Sequence, residues 1–150
     1  MRTDEFQIIP YHDGHRQQLL AVWEKSVLAT HHFLEPNDFE AIKTVVHEID
    51  FNEFEVYCLV AAHEVAGFIG LYADKVEMLF LSPEYFGKGL GKKLMNFAIN
   101  DRHAQAVDVN EQNLQAVAFY QRLGFGAYDR TETDGMGMAY PILKMRLLTS

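Results

Sequence analysis

Apolar residues recur at intervals of three and four positions in four stretches of the chain, and this spacing predicts four amphipathic helices. Asp13 is a suitable N-cap for the first helix, and Pro36 suits the first turn of the second. The fourth helix is bounded by Asn113, whose side chain can cap its start, and by Gly124, which ends it. The four apolar stripes are Leu19, Leu20, Trp23 and Val27; Phe39, Ile42, Val45, Val46 and Ile49; Leu90, Leu94, Phe97 and Ala98; and Ala116, Phe119, Tyr120 and Leu123.

Short runs rich in β-branched and aromatic residues lie between these helices and predict strands. Only His63 and Glu64 separate the second run from the third, which is the length of a tight hairpin turn. The predicted order is strand, two helices, three-strand meander, helix, strand, helix and two strands, a mixed α/β layer fold. The runs cover residues 6–10, 56–62, 65–72, 76–81, 107–109, 125–128 and 142–148.

Composition and charge limit the classes of protein to consider. The chain has 150 residues, of which 49% are hydrophobic, which predicts one domain over residues 1–150 with a sizeable core. The formal net charge of -8 repels phosphate backbones and anionic lipid heads, so neither nucleic acid nor a membrane is an expected partner. A cationic amine substrate is compatible with this charge. Association into a homodimer is a separate expectation.

Cys58 is the only cysteine, which excludes an intrachain disulfide and a multi-thiolate zinc site. Its apolar neighbours predict a buried, inert thiol. The N-terminus lacks the apolar run of a signal peptide, and no segment approaches the roughly 20 apolar residues that span a bilayer. We therefore expect a cytoplasmic protein.

Two histidine pairs begin like a zinc-protease helix, but neither completes the motif. After His47 the position of the second histidine is held by Phe51, and after His63 it is held by Gly67. The sequence therefore predicts no metal site.

The segment before the third helix carries three alternate glycines, Gly87, Gly89 and Gly91. Backbone N–H groups at a helix start point toward an anion, and the missing β-carbons let a pyrophosphate come close. Three lysines add positive charge: Lys88, Lys92 and Lys93. The alternative is a flexible turn that only joins two elements.

The segment matches neither of two well-known phosphate-binding motifs. A Walker A loop requires glycine where Phe86 stands and serine or threonine where Lys93 stands. A dinucleotide-binding loop requires its third glycine at the position of Lys92, although Asp108 lies about where an acidic ribose partner is expected. That second interpretation also conflicts with the hairpin that precedes the loop.

Together with residues 113–125, the glycine loop resembles the two main signatures of the GNAT superfamily of N-acyltransferases. The second signature reads Asn-Leu-Gln-Ala-Val-Ala-Phe-Tyr-Gln-Arg-Leu-Gly-Phe. Residues 28–34 and 139–143 also resemble a subgroup of small bacterial GNAT proteins. The resemblance implies an α/β fold in which helices flank a mixed, mostly antiparallel sheet whose splayed central strand pair binds acyl-CoA. It implies transfer of an acetyl group from acetyl-CoA to a primary amine; the alternative is a non-catalytic, CoA-binding regulatory module.

The resemblance also implies where the cofactor is held. The pyrophosphate is expected on backbone amides of the glycine loop, and the pantetheine chain along the preceding strand. The family usually has glutamine or arginine where this chain has Phe86, so one polar phosphate contact is missing. The implied cofactor-binding residues are Leu79, Phe80, Leu81, Phe86, Gly87, Lys88, Gly89, Leu90, Gly91, Lys92, Asn113, Phe119 and Tyr120.

Acyl transfer from a thioester requires a neutral amine, a polarised carbonyl and a proton for the departing thiolate. Tyr120 lies two helical turns after Asn113, on the same face, and the resemblance implies that it is the general acid; the alternative is a core aromatic. The resemblance implies that Glu77 accepts the amine proton through water, and an exposed strand carboxylate is the alternative. A backbone N–H near Met78 can polarise the carbonyl.

The subgroup resemblance implies an acceptor pocket that includes His31, His32 and Tyr140. The alternative for the two histidines is a surface position at a helix end. Asn110 can support the edge of the splayed strand, or it serves only as a turn residue.

Overall fold

The computed structural model describes residues 5–148. Within them, the order of helices and strands is the one that the hydrophobic pattern predicts. The strands are β1 (Gln7–Pro10), β2 (Glu55–Ala61), β3 (Glu64–Tyr72), β4 (Lys75–Leu81), β5 (Ala106–Asn110), β6 (Phe125–Thr131) and β7 (Ile142–Leu147). The α-helices are α1 (Arg16–Thr30), α2 (Pro36–His47), α3 (Leu90–Arg102) and α4 (Leu114–Arg122). Short 3₁₀ turns lie at Asp13–His15, Phe51–Glu53 and Pro83–Tyr85.

The strands form one sheet in the order β1-β2-β3-β4-β5-β7-β6. Neighbouring strands are antiparallel except β4 and β5, which run parallel. Their parallel pairing requires a crossover connection, and α3 supplies it on one face of the sheet. The sheet is therefore mixed and mostly antiparallel, as predicted.

Helices cover both faces of the sheet. Leu90 and Leu94 of α3 pack with Ile69 in one buried cluster, and Leu19 of α1 packs with Phe68 in the other. Each of these side chains is almost completely buried, and burying one contributes about 1.5–3 kcal/mol to the stability of the fold.

Among residues 5–148, none of the helices has the length and apolar character needed to cross a membrane.

The prediction that Asp13 caps the first helix is wrong. The chain first makes a 3₁₀ turn, which His12 caps by accepting a hydrogen bond from the Gly14 amide, and α1 begins only at Arg16. The carboxylate of Asp13 instead accepts hydrogen bonds from the Tyr11 hydroxyl at 3.1 Å and the Asn52 amide at 2.9 Å. The long-range contact with Asn52 cannot be seen in a local pattern.

The turn between β2 and β3 lies one residue earlier than predicted. Ala62 and His63 occupy it, with φ of +50° and +71°, and Glu64 already pairs with Ala61 in the ladder. Positive φ at both central residues is the geometry of the hairpin turn whose twist matches that of the strands. The tight hairpin is thus confirmed, with a corrected register.

A β-bulge in β4 marks the point where the sheet opens. Val76 pairs with Leu71 and Met78 pairs with Gly70, which leaves Glu77 as the extra residue. A bulge bends its strand and increases the local twist. β4 and β5 accordingly pair only at Lys75 with Ala106 and at Val76 with Val107, and beyond these pairs the two strands separate. The splayed central pair is thus present.

Candidate active site

The glycine loop borders a cleft of about 780 Å³ at the start of α3. Gly87 and Gly89 both have φ of +76°, a left-handed conformation that side chains rarely adopt. A β-carbon placed on either glycine would meet no atom within 4 Å, so both backbones face open space. Gly89 is also the N-cap of α3, whose first amides point into this region. These features fit a pyrophosphate cradle.

Positive side chains border the same cleft. Lys92 and Arg122 both line it, and they also line a neighbouring cavity of about 410 Å³. Lys88 is exposed on the loop beside them. Sequence reasoning missed Arg122, although it follows Gln115 and Phe119 at helical spacing on α4, and that spacing was the available signal.

The open edge of β4 continues from the glycine loop toward the splay. The Ser82 amide donates to the Ala66 carbonyl of β3 at 2.9 Å. In an antiparallel pair, every second residue of a strand makes main-chain hydrogen bonds to its partner strand, and the residues between them point their N–H and C=O groups the opposite way. Because Ser82 bonds β3, the main-chain groups of Leu79 and Leu81 face away from β3. They face the side on which β5 has separated, and an extended chain such as pantetheine can add there as a further strand.

Asn113 and Tyr120 lie on one face of α4, as their spacing predicts. Asn113 caps the helix by accepting a hydrogen bond from the Ala116 amide at 3.2 Å. Both residues line two cavities of about 200 Å³ each, at the inner end of the cleft and within the splay. Tyr120 is buried, its ring packs edge-on against Phe119 and Phe125, and burial raises the pKa of its phenol. At neutral pH the phenol therefore keeps its proton.

The bulge carries Glu77 into the cavity within the splay. Its carboxylate lies 3.4 Å from Lys75 Nζ, and the same ammonium lies 2.6 Å from the carboxylate of Asp108 on β5. Partial burial lowers the pKa of Lys75, but its bonds to Asp108 and Glu77 raise it overall. The two carboxylates therefore share one cation at the closed end of the splay.

His31 follows the last residue of α1 and lines a separate cavity of about 250 Å³. The walls of this cavity are largely apolar, with contributions from Trp23, Leu34 and Ile42, and Asp134 also lines it. Nδ1 of His31 lies 2.7 Å from the Thr30 hydroxyl oxygen. Burial, with a smaller effect from His32, lowers the pKa of His31 from 6.5 to about 4.

His32 does not join His31 in these cavities. Its ring is exposed and bonds the Ala29 carbonyl at 2.6 Å across the end of α1, so the surface alternative describes it better. Within the described chain, the structure thus separates His32 from the predicted acceptor pocket.

Tyr140 is buried beside the pocket without lining its cavity. Its hydroxyl donates to Asp38 at 2.5 Å and accepts from the Glu35 amide at 3.0 Å, which ties the segment before β7 to the start of α2. The bond to Asp38 raises the pKa of this tyrosine. Its ring lies 5.9 Å from that of Phe33, which in turn lies 5.3 Å from the ring of His31.

The remaining candidates occupy distinct places. Phe86 is 41% exposed and lines the outer cleft as well as its inner end. Asn110 lines the splay and the His31 cavity, which joins it to the site. Cys58 is fully buried, as predicted, and burial raises the pKa of its thiol to about 12.

Comparison with known proteins gives a family match and two similar relatives. Residues 17–147 match the acetyltransferase (GNAT) domain family. The chain is 35% identical over 130 residues to the peptidyl-lysine N-acetyltransferase YjaB of Salmonella typhimurium, which is 86% of this chain and 89% of that protein. The Escherichia coli protein of the same name is 33% identical, over 86% of this chain and 88% of its own length.

Solved structures show the same fold. The apo-form solution structure of Escherichia coli YjaB matches with a TM-score of 0.87 and 30% identity, covering 97% of this chain and 99% of the other. PaiA N-acetyltransferase from Thermoplasma acidophilum, in complex with coenzyme A, matches with a TM-score of 0.71 and 23% identity, covering 94% and 98%. The predicted fold class is therefore confirmed.

Proposed function

We propose that this chain, which belongs to the acetyltransferase (GNAT) family and transfers an acetyl group from acetyl-CoA to an amine, uses a lysine side chain of a protein or peptide as its acceptor. Acetyl-CoA is the acyl donor. The alternative of a non-catalytic CoA-binding module finds no support among the relatives, which are acetyltransferases by name.

The observation that carries the choice of lysine is the size and lining of the His31 cavity. A lysine side chain has a four-carbon apolar stem and a cationic end, and it buries the stem along apolar surface. The cavity of about 250 Å³ has apolar walls, with Asp134 and Asn110 among the polar groups that line it. The two YjaB relatives, named for peptidyl-lysine acetylation, support the same acceptor class.

The donor is assigned to the cleft that begins at the glycine loop. The amides at Gly87, Gly89 and the start of α3 are proposed to bind the pyrophosphate, with Lys92 and Arg122 supplying positive charge. Pantetheine is proposed to run along the open edge of β4 and bring the thioester to the splay. The further residues assigned to donor binding are Lys88, Leu90, Gly91, Asn113, Phe119 and Phe86, although Phe86 lacks the polar phosphate contact expected at its position.

Tyr120 is proposed to protonate the departing thiolate. Its phenol is held on α4 beside the inner end of the cleft, and its raised pKa means that the proton is present at neutral pH. Glu77 lines the splay and is proposed to interact with the incoming amine through water. The backbone N–H of Leu79, next to Met78, faces the side on which β5 has separated and is proposed to polarise the acyl carbonyl.

A pair of peptides tests the acceptor class. One peptide has a blocked N-terminus and a single lysine; its partner has a free N-terminus and norleucine in place of lysine. Each is incubated with the protein and acetyl-CoA, with free thiol and peptide mass as readouts. Acetylation of the first peptide alone is expected, and acetylation of the second alone would show that the acceptor is an N-terminal amine.

The proposal includes a cytoplasmic location, where acetyl-CoA and protein substrates are both available. The free thiol of Cys58 is compatible with a reducing compartment. The homodimer stays a prediction.

A further inference from the structure

His31 lies where three cavities meet. Two of them are also lined by Leu79 and Tyr120, where the thioester is proposed to lie. The third is the proposed lysine cavity. The imidazole thus stands between the acyl donor and the acceptor amine, a position that no other histidine of the described chain shares.

The hydrogen bonds around Thr30 decide which nitrogen of His31 carries a proton. The Thr30 hydroxyl oxygen lies 2.8 Å from the Ser26 carbonyl oxygen and 2.7 Å from Nδ1 of His31. Two oxygen acceptors cannot approach to 2.8 Å without a proton between them, so the hydroxyl donates to Ser26. Its oxygen then accepts a proton from Nδ1, and Nε2 keeps a free lone pair.

We propose that Nε2 of His31 is the base that removes the proton from the acceptor amine. As the amine nitrogen forms its bond to the acyl carbon, Nε2 takes a proton from that nitrogen. The carbon–sulfur bond breaks, and the thiolate receives the proton of the Tyr120 phenol. The phenolate is then reprotonated from water, and His31 returns its proton to water, so the reaction yields an amide, a thiol and the original enzyme.

The surroundings of His31 suit this role. Burial keeps the ring neutral before reaction, so the base is ready at neutral pH. Glu77 and Asp108 line the splay cavity, and Asp134 lines the lysine cavity, so carboxylates are present in the cavities on both sides of the ring. His32 is the neighbouring group that opposes protonation of His31. The negative charge that develops on the acyl oxygen also favours protonation of His31 during attack.

Glu77 is less suited to be the principal base, because its carboxylate already contacts the Lys75 ammonium at 3.4 Å. Glu77 is also absent from the lining of the lysine cavity, whereas His31 lines it.

The inference rests on the proposed function, and its kinetic test compares two variants. In His31→Asn, the side-chain amide can still donate to Thr30, but no atom takes the place of Nε2. Glu77→Gln removes only the negative charge of Glu77. At pH 7, kcat of His31→Asn should fall by about 10²-fold or more, with the KM for acetyl-CoA little changed. The loss should persist at pH 9.5, because a neutral amine must still lose a proton as it forms the amide.

A loss that disappears when the pH is raised to 9.5, or turnover within about threefold of wild type at pH 7, would overturn the base assignment. So would a larger loss in Glu77→Gln than in His31→Asn. His103→Asn, at the exposed end of α3, controls for removal of a histidine. If lysine peptides fail as acceptors, the same comparison is made with any primary amine that the wild type acetylates, which separates the two proposals.

The tautomer can be measured without turnover. In ¹⁵N-labelled protein at pH 7, Nε2 of His31 should give the signal of an unprotonated nitrogen and Nδ1 that of a protonated one. Thr30→Val should lose this preference, because the group that accepts from Nδ1 is gone. A protonated Nε2 in the wild type would overturn the inference whatever the acceptor proves to be.

Discussion

Lys75 Nζ lies 2.6 Å from the Asp108 carboxylate, across the last paired residues of β4 and β5 before the strands separate. Lys75→Met should loosen this closed end and raise the KM for acetyl-CoA by about two- to fivefold, with a small change in kcat, because a partly exposed ion pair contributes up to about 1 kcal/mol. Steady-state kinetics measure the effect. Arg146→Met breaks a comparable exposed contact with Asp74 and should leave KM unchanged; equal changes in both variants would contradict the expectation.

Gly89→Val should abolish binding of acetyl-CoA. The new side chain would enter the space that faces the pyrophosphate, and φ of +76° adds strain of about 1–2 kcal/mol. Calorimetric titration measures binding. Gly137→Val is the matched control, since its φ is +80° and its surroundings are equally open, yet it lies outside the cleft. Undiminished affinity in a folded Gly89→Val variant would reject the cradle.

Phe86→Arg should tighten acetyl-CoA binding on the order of 1 kcal/mol, since a guanidinium supplies the charge-assisted phosphate bond that the phenylalanine lacks. The exposed position of Phe86 at the cleft leaves room for the longer side chain. Calorimetry at two salt concentrations should show the gain shrinking at high salt. Weaker binding than wild type, together with weaker binding of Phe86→Leu, would mean that the aromatic ring itself packs against the ligand.

Tyr120→Phe should lower kcat by roughly 10²- to 10⁴-fold, because it removes the proton donor and keeps the ring. The packing against Phe119 and Phe125 is preserved, so the melting temperature and acetyl-CoA affinity should change little. The measurement requires a lysine acceptor and conditions in which chemistry limits the rate. Turnover within about threefold of wild type would return Tyr120 to the core.

His31 should make folding stability depend on pH. Its pKa is about 4 in the folded protein against an ordinary value of 6.5, so between these values the unfolded chain binds a proton that the folded chain does not. The free energy of unfolding should therefore fall as pH decreases from 6.5 to 4, by up to about 3 kcal/mol. Urea unfolding across this range measures it. His31→Asn should flatten this decline, while His63→Asn in the exposed turn should retain it.

The sequence alone determined the features that depend on neighbouring residues. Helical spacing brought Asn113 and Tyr120 to one face of α4, and the cap of that helix follows from the side chain of Asn113. The alternating glycines likewise predicted a backbone that faces a ligand, because a positive φ is a local property. The element order and the family resemblance depend on the same short-range patterns.

The tertiary structure decided what depends on residues distant in the chain. The bulge at Glu77 is defined only by the pairing of β4 with β3, and the splay only by where β5 leaves β4. Two adjacent histidines have identical chemistry in the sequence, but the direction of the chain at the end of α1 turns His31 into three cavities and His32 toward solvent. Burial, which sets the proton affinity of His31, arises only when these distant elements pack together.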